Sequence, residues 1–82
     1  MTKMNKDDLP ALIVNILETN GGVMGRKTIG RIIFNTVLRL CGANDDFLMT
    51  MYYDLGWAQK KLADLDIVKT RRVGADWEWY LA

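Results

Sequence analysis

Histidine is absent from this 82-residue chain and cysteine occurs once, at Cys41. One thiol leaves no internal disulfide, and one thiol without an imidazole leaves no plausible ligand set for zinc. No histidine stands ready to activate Cys41, so it reads as a small buried hydrophobe behind Leu40 and not as a nucleophile. Cysteine usage of this kind suits a reducing compartment, the cytoplasm by default. Long hydrophobic runs are missing too. The longest apolar stretch, Ala11 to Leu17, is broken by Asn15 and is too short to cross a bilayer. Polar and charged residues open the chain where a signal peptide would carry its apolar segment, so neither secretion nor a membrane partner is expected. No repeat, linker or low-complexity segment divides the chain, and at this length one core is the limit. A single domain over residues 1–82 is expected, with 1–6 as a flexible lead-in.

An excess of either charge is also lacking: the formal net charge is +1. The whole-molecule field therefore offers nothing to a polyanion. The distribution says more. Arg26, Lys27, Arg31 and Arg39 fall in a stretch without an acid, and Lys60, Lys61, Lys69, Arg71 and Arg72 outnumber Asp64 and Asp66. With half its residues hydrophobic, the chain has enough apolar surface to fold.

Asp7 and Asp8 followed by Leu9 and Pro10 read as acid N-caps before a proline in a first helical turn, and Leu9, Leu12, Ile13, Ile16 and Leu17 recur at helical spacing. A first helix over Leu9 to Thr19 is predicted, ended by Asn20, Gly21 and Gly22. Val23 and Met24 suit a very short strand. Thr28, Ile29, Ile32, Ile33, Val37, Leu38 and Leu40 mark a second helix that opens at Arg26 and Lys27 and breaks over Cys41 to Asn44. Asp45 and Asp46 begin a third stretch, in which Leu48, Met51, Leu55, Ala58, Leu62 and Leu65 form one inward stripe. Gly56 interrupts it, and a kink or a junction of two helices is expected near Tyr52 to Gly56. From Ile67 the period becomes two. Ile67, Val68 and Thr70 suit one strand, and Trp77, Trp79 and Leu81, alternating with Glu78 and Tyr80, suit another. Arg71 to Asp76, with Gly74, would be the turn of a β-hairpin. Trp77, Trp79 and Leu81 are expected in the core over the first and third helices. The fold class is α+β. Helix, short strand, helix, helix, strand, strand is the order of a winged helix-turn-helix with a two-stranded wing.

Tyr53 to Lys69 carries a more specific likeness. With its Gly56-Trp57-Ala58 step, Leu62 and the Ile67-Val68 strand entry, followed by basic residues and a closing aromatic strand, it resembles the N-terminal winged-helix domain of Mrr-type restriction endonucleases. The likeness covers residues 53–82; residues 1–45 match only in element order. Asp66 stands where that family often has glycine. The resemblance implies a DNA-reading fold. Because the nuclease domain that follows in those enzymes is missing from these 82 residues, it implies no cleavage.

If the third helix turns its stripe inward, the 100° step leaves Tyr53, Gly56, Trp57, Lys60 and Asp64 outward, with Lys61 on the flank. Such a face fits the major groove of DNA, with Lys60 reaching guanine or phosphate and Tyr53 the backbone or a thymine methyl. It equally describes a solvated helix face with a tryptophan folded against the hairpin. Lys69, Arg71 and Arg72 around a glycine turn suit phosphates or a minor groove, or else protect an edge strand from pairing. Arg26 and Lys27 sit where the helix dipole disfavours cations. They read either as a phosphate site or as exposed charges of trivial cost. Gly21 to Thr28 only approximates a phosphate-binding loop: Arg26 replaces the needed glycine and no strand precedes it.

Two functions remain. The first is binding of double-stranded DNA without catalysis, cofactor or metal, by a small transcriptional regulator or target-recognition module using Arg26, Lys27, Tyr53, Trp57, Lys60, Lys61, Lys69, Arg71 and Arg72. The second is a protein-interaction module or homodimer using Ile32, Phe34 and Leu38 on the second helix, which near-zero net charge favours.

Overall fold

The computed structural model describes residues 4–43 and 46–82. Asn44 and Asp45, and with Asp45 its expected capping role, lie outside the described residues, as does the first half of the lead-in. Among the described residues the chain forms three α-helices and one three-stranded antiparallel sheet, so the α+β class stands. The elements are α1 (Leu9–Thr19), β1 (Val23–Gly25), α2 (Arg26–Cys41), α3 (Asp46–Asp64), β2 (Val68–Val73) and β3 (Asp76–Leu81).

The chain enters α1 differently from the expectation. A 3-10 turn, Lys6–Asp8, precedes the helix, and its cap is Asn5: the Asn5 side chain accepts from the Asp7 N–H at 2.8 Å, while Asp8 accepts from the Asn5 N–H at 3.0 Å. This reciprocal arrangement turns the Asp8 carboxylate backward, so it makes no capping bond to α1. Pro10 stands in the first turn, where its missing N–H costs nothing. Asn20, Gly21 and Gly22 end α1 as expected: the Asn20 N–H bonds back to Ile16 and the Gly22 N–H to Leu17.

No break divides α3. It runs unbroken through Gly56, because a lone glycine weakens a helix without removing any bond of its ladder, unlike proline or an inserted residue. The inward stripe holds for Leu48, Met51, Leu55, Ala58 and Leu62, is extended by Phe47, and fails at Leu65. Leu65 lies past the helix end and is 61% exposed, since the chain there turns away toward β2. That turn is made at Asp66, whose φ of 57° is left-handed, a conformation Asp tolerates better than most residues.

The sheet order is β1-β3-β2. Both hairpin strands extend further than the sequence suggested, to a two-residue turn at Gly74 and Ala75, so Arg71 and Arg72 lie within β2. Gly74 has φ 62° and Ala75 has no positive φ, the arrangement of a II′ turn with glycine first. The inner sheet face contributes Val68 and Trp79 to one core shared by all three helices. Cys41 belongs to that core. Leu81 packs at its margin, whereas Trp77 is 46% exposed. The tryptophan pattern predicts the shared face of β3 and misses its extent, because the hairpin projects beyond the helices that cover Trp79.

Candidate nucleic-acid interface

The buried stripe of α3 leaves its opposite side to solvent. Met49 and Tyr53 are exposed there, Tyr53 at 85%, and Lys60 follows on the same side with Gly56 between them. Trp57 stands at the flank away from the hairpin, half-buried against the core. Two ammonium groups meet its ring: Lys61 Nζ at 5.2 Å and Lys6 Nζ at 4.9 Å from the centroid. Each such contact contributes about 0.5–1 kcal/mol at an exposed site. Lys6 is not among the sequence candidates, and no local pattern marks it; only the packing of the 3-10 turn beside α3 brings it here.

Strand alternation separates the hairpin cations. Lys69 and Arg71 pair across the strands with Tyr80 and Glu78 on the outer face of the sheet, while Arg72 pairs with Trp77 on the inner face. Arg71 is held: its Nε donates to Glu78 Oε1 at 2.8 Å and its guanidinium carbon lies 5.2 Å from the Tyr80 ring. Among the described residues this is the one ion pair. Arg72 Nε donates to the Gly74 carbonyl at 3.3 Å, which draws the side chain toward the turn.

Between α3, the first residue of α2 and the inner face of the hairpin opens a cleft of about 390 Å³, lined by Arg26, Gly56, Gln59, Thr70, Trp77 and Trp79. Gln59 and Thr70 make no side-chain hydrogen bond among the described residues, and Arg26 has no carboxylate partner. Gly56 forms an open part of the wall, since a Cβ built there meets nothing within 4 Å. Gln59 was also unforeseen, although it lies one turn after Gly56.

Arg26 and Lys27 are exposed in the first turn of α2, which has no side-chain cap. The chain's own Asp76 lies close by: a Cβ at Gly25 would come 2.9 Å from its Oδ2. Its Oδ1 accepts from the Trp77 N–H at 2.8 Å. This carboxylate supplies the negative charge that a helix N-terminus attracts, so the backbone end of α2 is not itself the anion site and a phosphate contact here falls to the Arg26 side chain, which makes no ion pair with Asp76. The candidate cations thus occupy three places. Arg26 and Arg72 stand on the cleft side, with Lys27 exposed beside Arg26 in the first turn of α2; Lys69 and Arg71 lie on the outer sheet face; Lys60 and Lys61 line one hollow with Trp57 and Asp64.

No family model, curated protein or solved structure matches this chain. Among the described residues no group of three or more Cys, Asp or Glu side chains is placed to hold a metal ion, and no helix is long and apolar enough to cross a membrane.

Proposed function

We propose that the chain is a winged helix-turn-helix module that binds double-stranded DNA, with α3 as the helix that enters the major groove and the β2–β3 hairpin as the wing. The observation that carries this reading is the solvent face of α3. It is free of core contacts, bears Tyr53 and Lys60, and is bordered by a projecting hairpin. A helix of this width fits the major groove, and cations at its margins reach phosphates. Element order and the sheet order β1-β3-β2 support the assignment. So does Asp66, which takes a left-handed conformation where Mrr-type sequences often carry glycine. Lys60 on this face, and Arg26 and Arg72 on the adjoining cleft side, are free of ion pairs among the described residues. The proposed role is recognition without catalysis, in transcriptional control or target selection.

The alternative surface on α2 draws less support. Phe34 is stacked on Tyr52 with centroids 6.2 Å apart, and Ile32 is partly covered by the core, which leaves Leu38 as the exposed member of the expected set.

Fluorescence anisotropy with a labelled mixed-sequence duplex tests the proposal. About four phosphate contacts give a slope near −4 for the logarithm of affinity against the logarithm of salt. Replacing Lys60, Arg72 and Arg26 together by Ala should abolish most of the affinity. Absence of binding at low salt, or indifference to the triple substitution, would refute the reading.

A further inference from the structure

A glycine inside a helix destabilises it by roughly 1 kcal/mol relative to alanine, and close packing of another element against it is one structural reason to find it there. Nothing fills that role at Gly56: the space beside it is open. The space is the cleft, and its lining combines an exposed indole with polar groups that have no protein partner among the described residues. Trp77 keeps nearly half its area exposed there, the Gln59 amide and the Thr70 hydroxyl have no partner among the described residues, and the Arg26 guanidinium stands without a carboxylate. A local rule broken with no structural return points to function.

We infer that this cleft binds a nucleobase that has left its stack, together with the phosphate attached to it. An exposed indole offers a π-face on which any base can stack. An amide and a hydroxyl match the donors and acceptors of a base edge. A guanidinium fits the flanking phosphate in bidentate fashion. The missing side chain at Gly56 leaves room for the ring. The inference rests on the DNA-binding proposal for its usual source, an unpaired base in a duplex; a free nucleotide carries the same chemistry.

Affinities of the intact chain are measured by anisotropy for two labelled duplexes of one sequence, one fully paired and one with a single base opposite an abasic site. Binding of deoxyadenosine monophosphate is measured by calorimetry. The duplex with the unpaired base should bind at least about tenfold tighter. The ratio of the two affinities should fall to one in Trp77→Ala and in Gly56→Leu, and a general loss of affinity cancels in that ratio. Thermal melts establish that the variants fold. Saturable binding of the monophosphate that is lost in Gly56→Leu, without preference between duplexes, assigns the cleft to free nucleotides. Equal affinity for both duplexes with no binding of the monophosphate overturns the inference and leaves duplex binding standing, as does a preference that survives both substitutions. Failure to bind either duplex or the monophosphate removes both proposals.

Discussion

Two tryptophans two residues apart on one strand face do different work. Trp79 is 2% exposed and Trp77 46%. Truncating a fully buried Trp costs about 3–5 kcal/mol, which is a large share of the roughly 4–12 kcal/mol that holds a domain of this size. Trp79→Ala should therefore lower the urea midpoint sharply, by about 3–5 kcal/mol of unfolding free energy, while Trp77→Ala, which uncovers only part of a side chain, should cost clearly less. Similar losses for both would contradict the burial difference. Gly56 gives the opposite sign. Its backbone is helical and the space beside it open, so Gly56→Ala should raise stability by about 1 kcal/mol, read as a higher melting temperature. The residue types at these positions were legible as apolar, aromatic or helix-weakening. Their consequences were not, because whether a side chain is covered depends on what lies across from it.

At the scale of elements, the helices were legible nearly to their ends, since the 3.6-residue period is a property of near neighbours. α1 falls on its predicted span. α3 differs only in its continuity through Gly56 and in losing Leu65. The hairpin was legible in kind and not in length: arginine carries no strong strand signal, so the local pattern ends the strand before Arg71 and Arg72, whereas the II′ turn at Gly74 and Ala75 sets the register that places them in β2. Gly74→Ala should destabilise the hairpin by about 1 kcal/mol or more, since φ 62° strains a residue with a Cβ. An unchanged urea midpoint would argue for a different turn. The exposed Arg71–Glu78 pair contributes little, about 0–1 kcal/mol, so Glu78→Gln should barely move stability.

For the whole molecule, the radius of gyration is 12.3 Å, near the roughly 12 Å of a compact chain of this length, and one cluster of apolar side chains joins every helix to the sheet. Unfolding should accordingly be one cooperative transition, with the same urea midpoint by tryptophan fluorescence and far-ultraviolet circular dichroism. An earlier loss of the fluorescence signal would show the hairpin separating first. The candidate site was legible only in pieces: Lys60 and Tyr53 on an outward helix face, Trp77 on the inner strand face. By itself the amino-acid sequence determined the order of elements, the inward stripes and the alternation in β3, because these are written in spacings of two to four residues. Only the tertiary structure decided that Trp77 overhangs the core, that Lys6 meets Trp57, that Asp76 stands beside Gly25, and that Arg26, Gln59 and Thr70 share one cleft. Those juxtapositions join residues far apart in the chain. They follow from how far each element extends past the one it packs against, a length that no local pattern records.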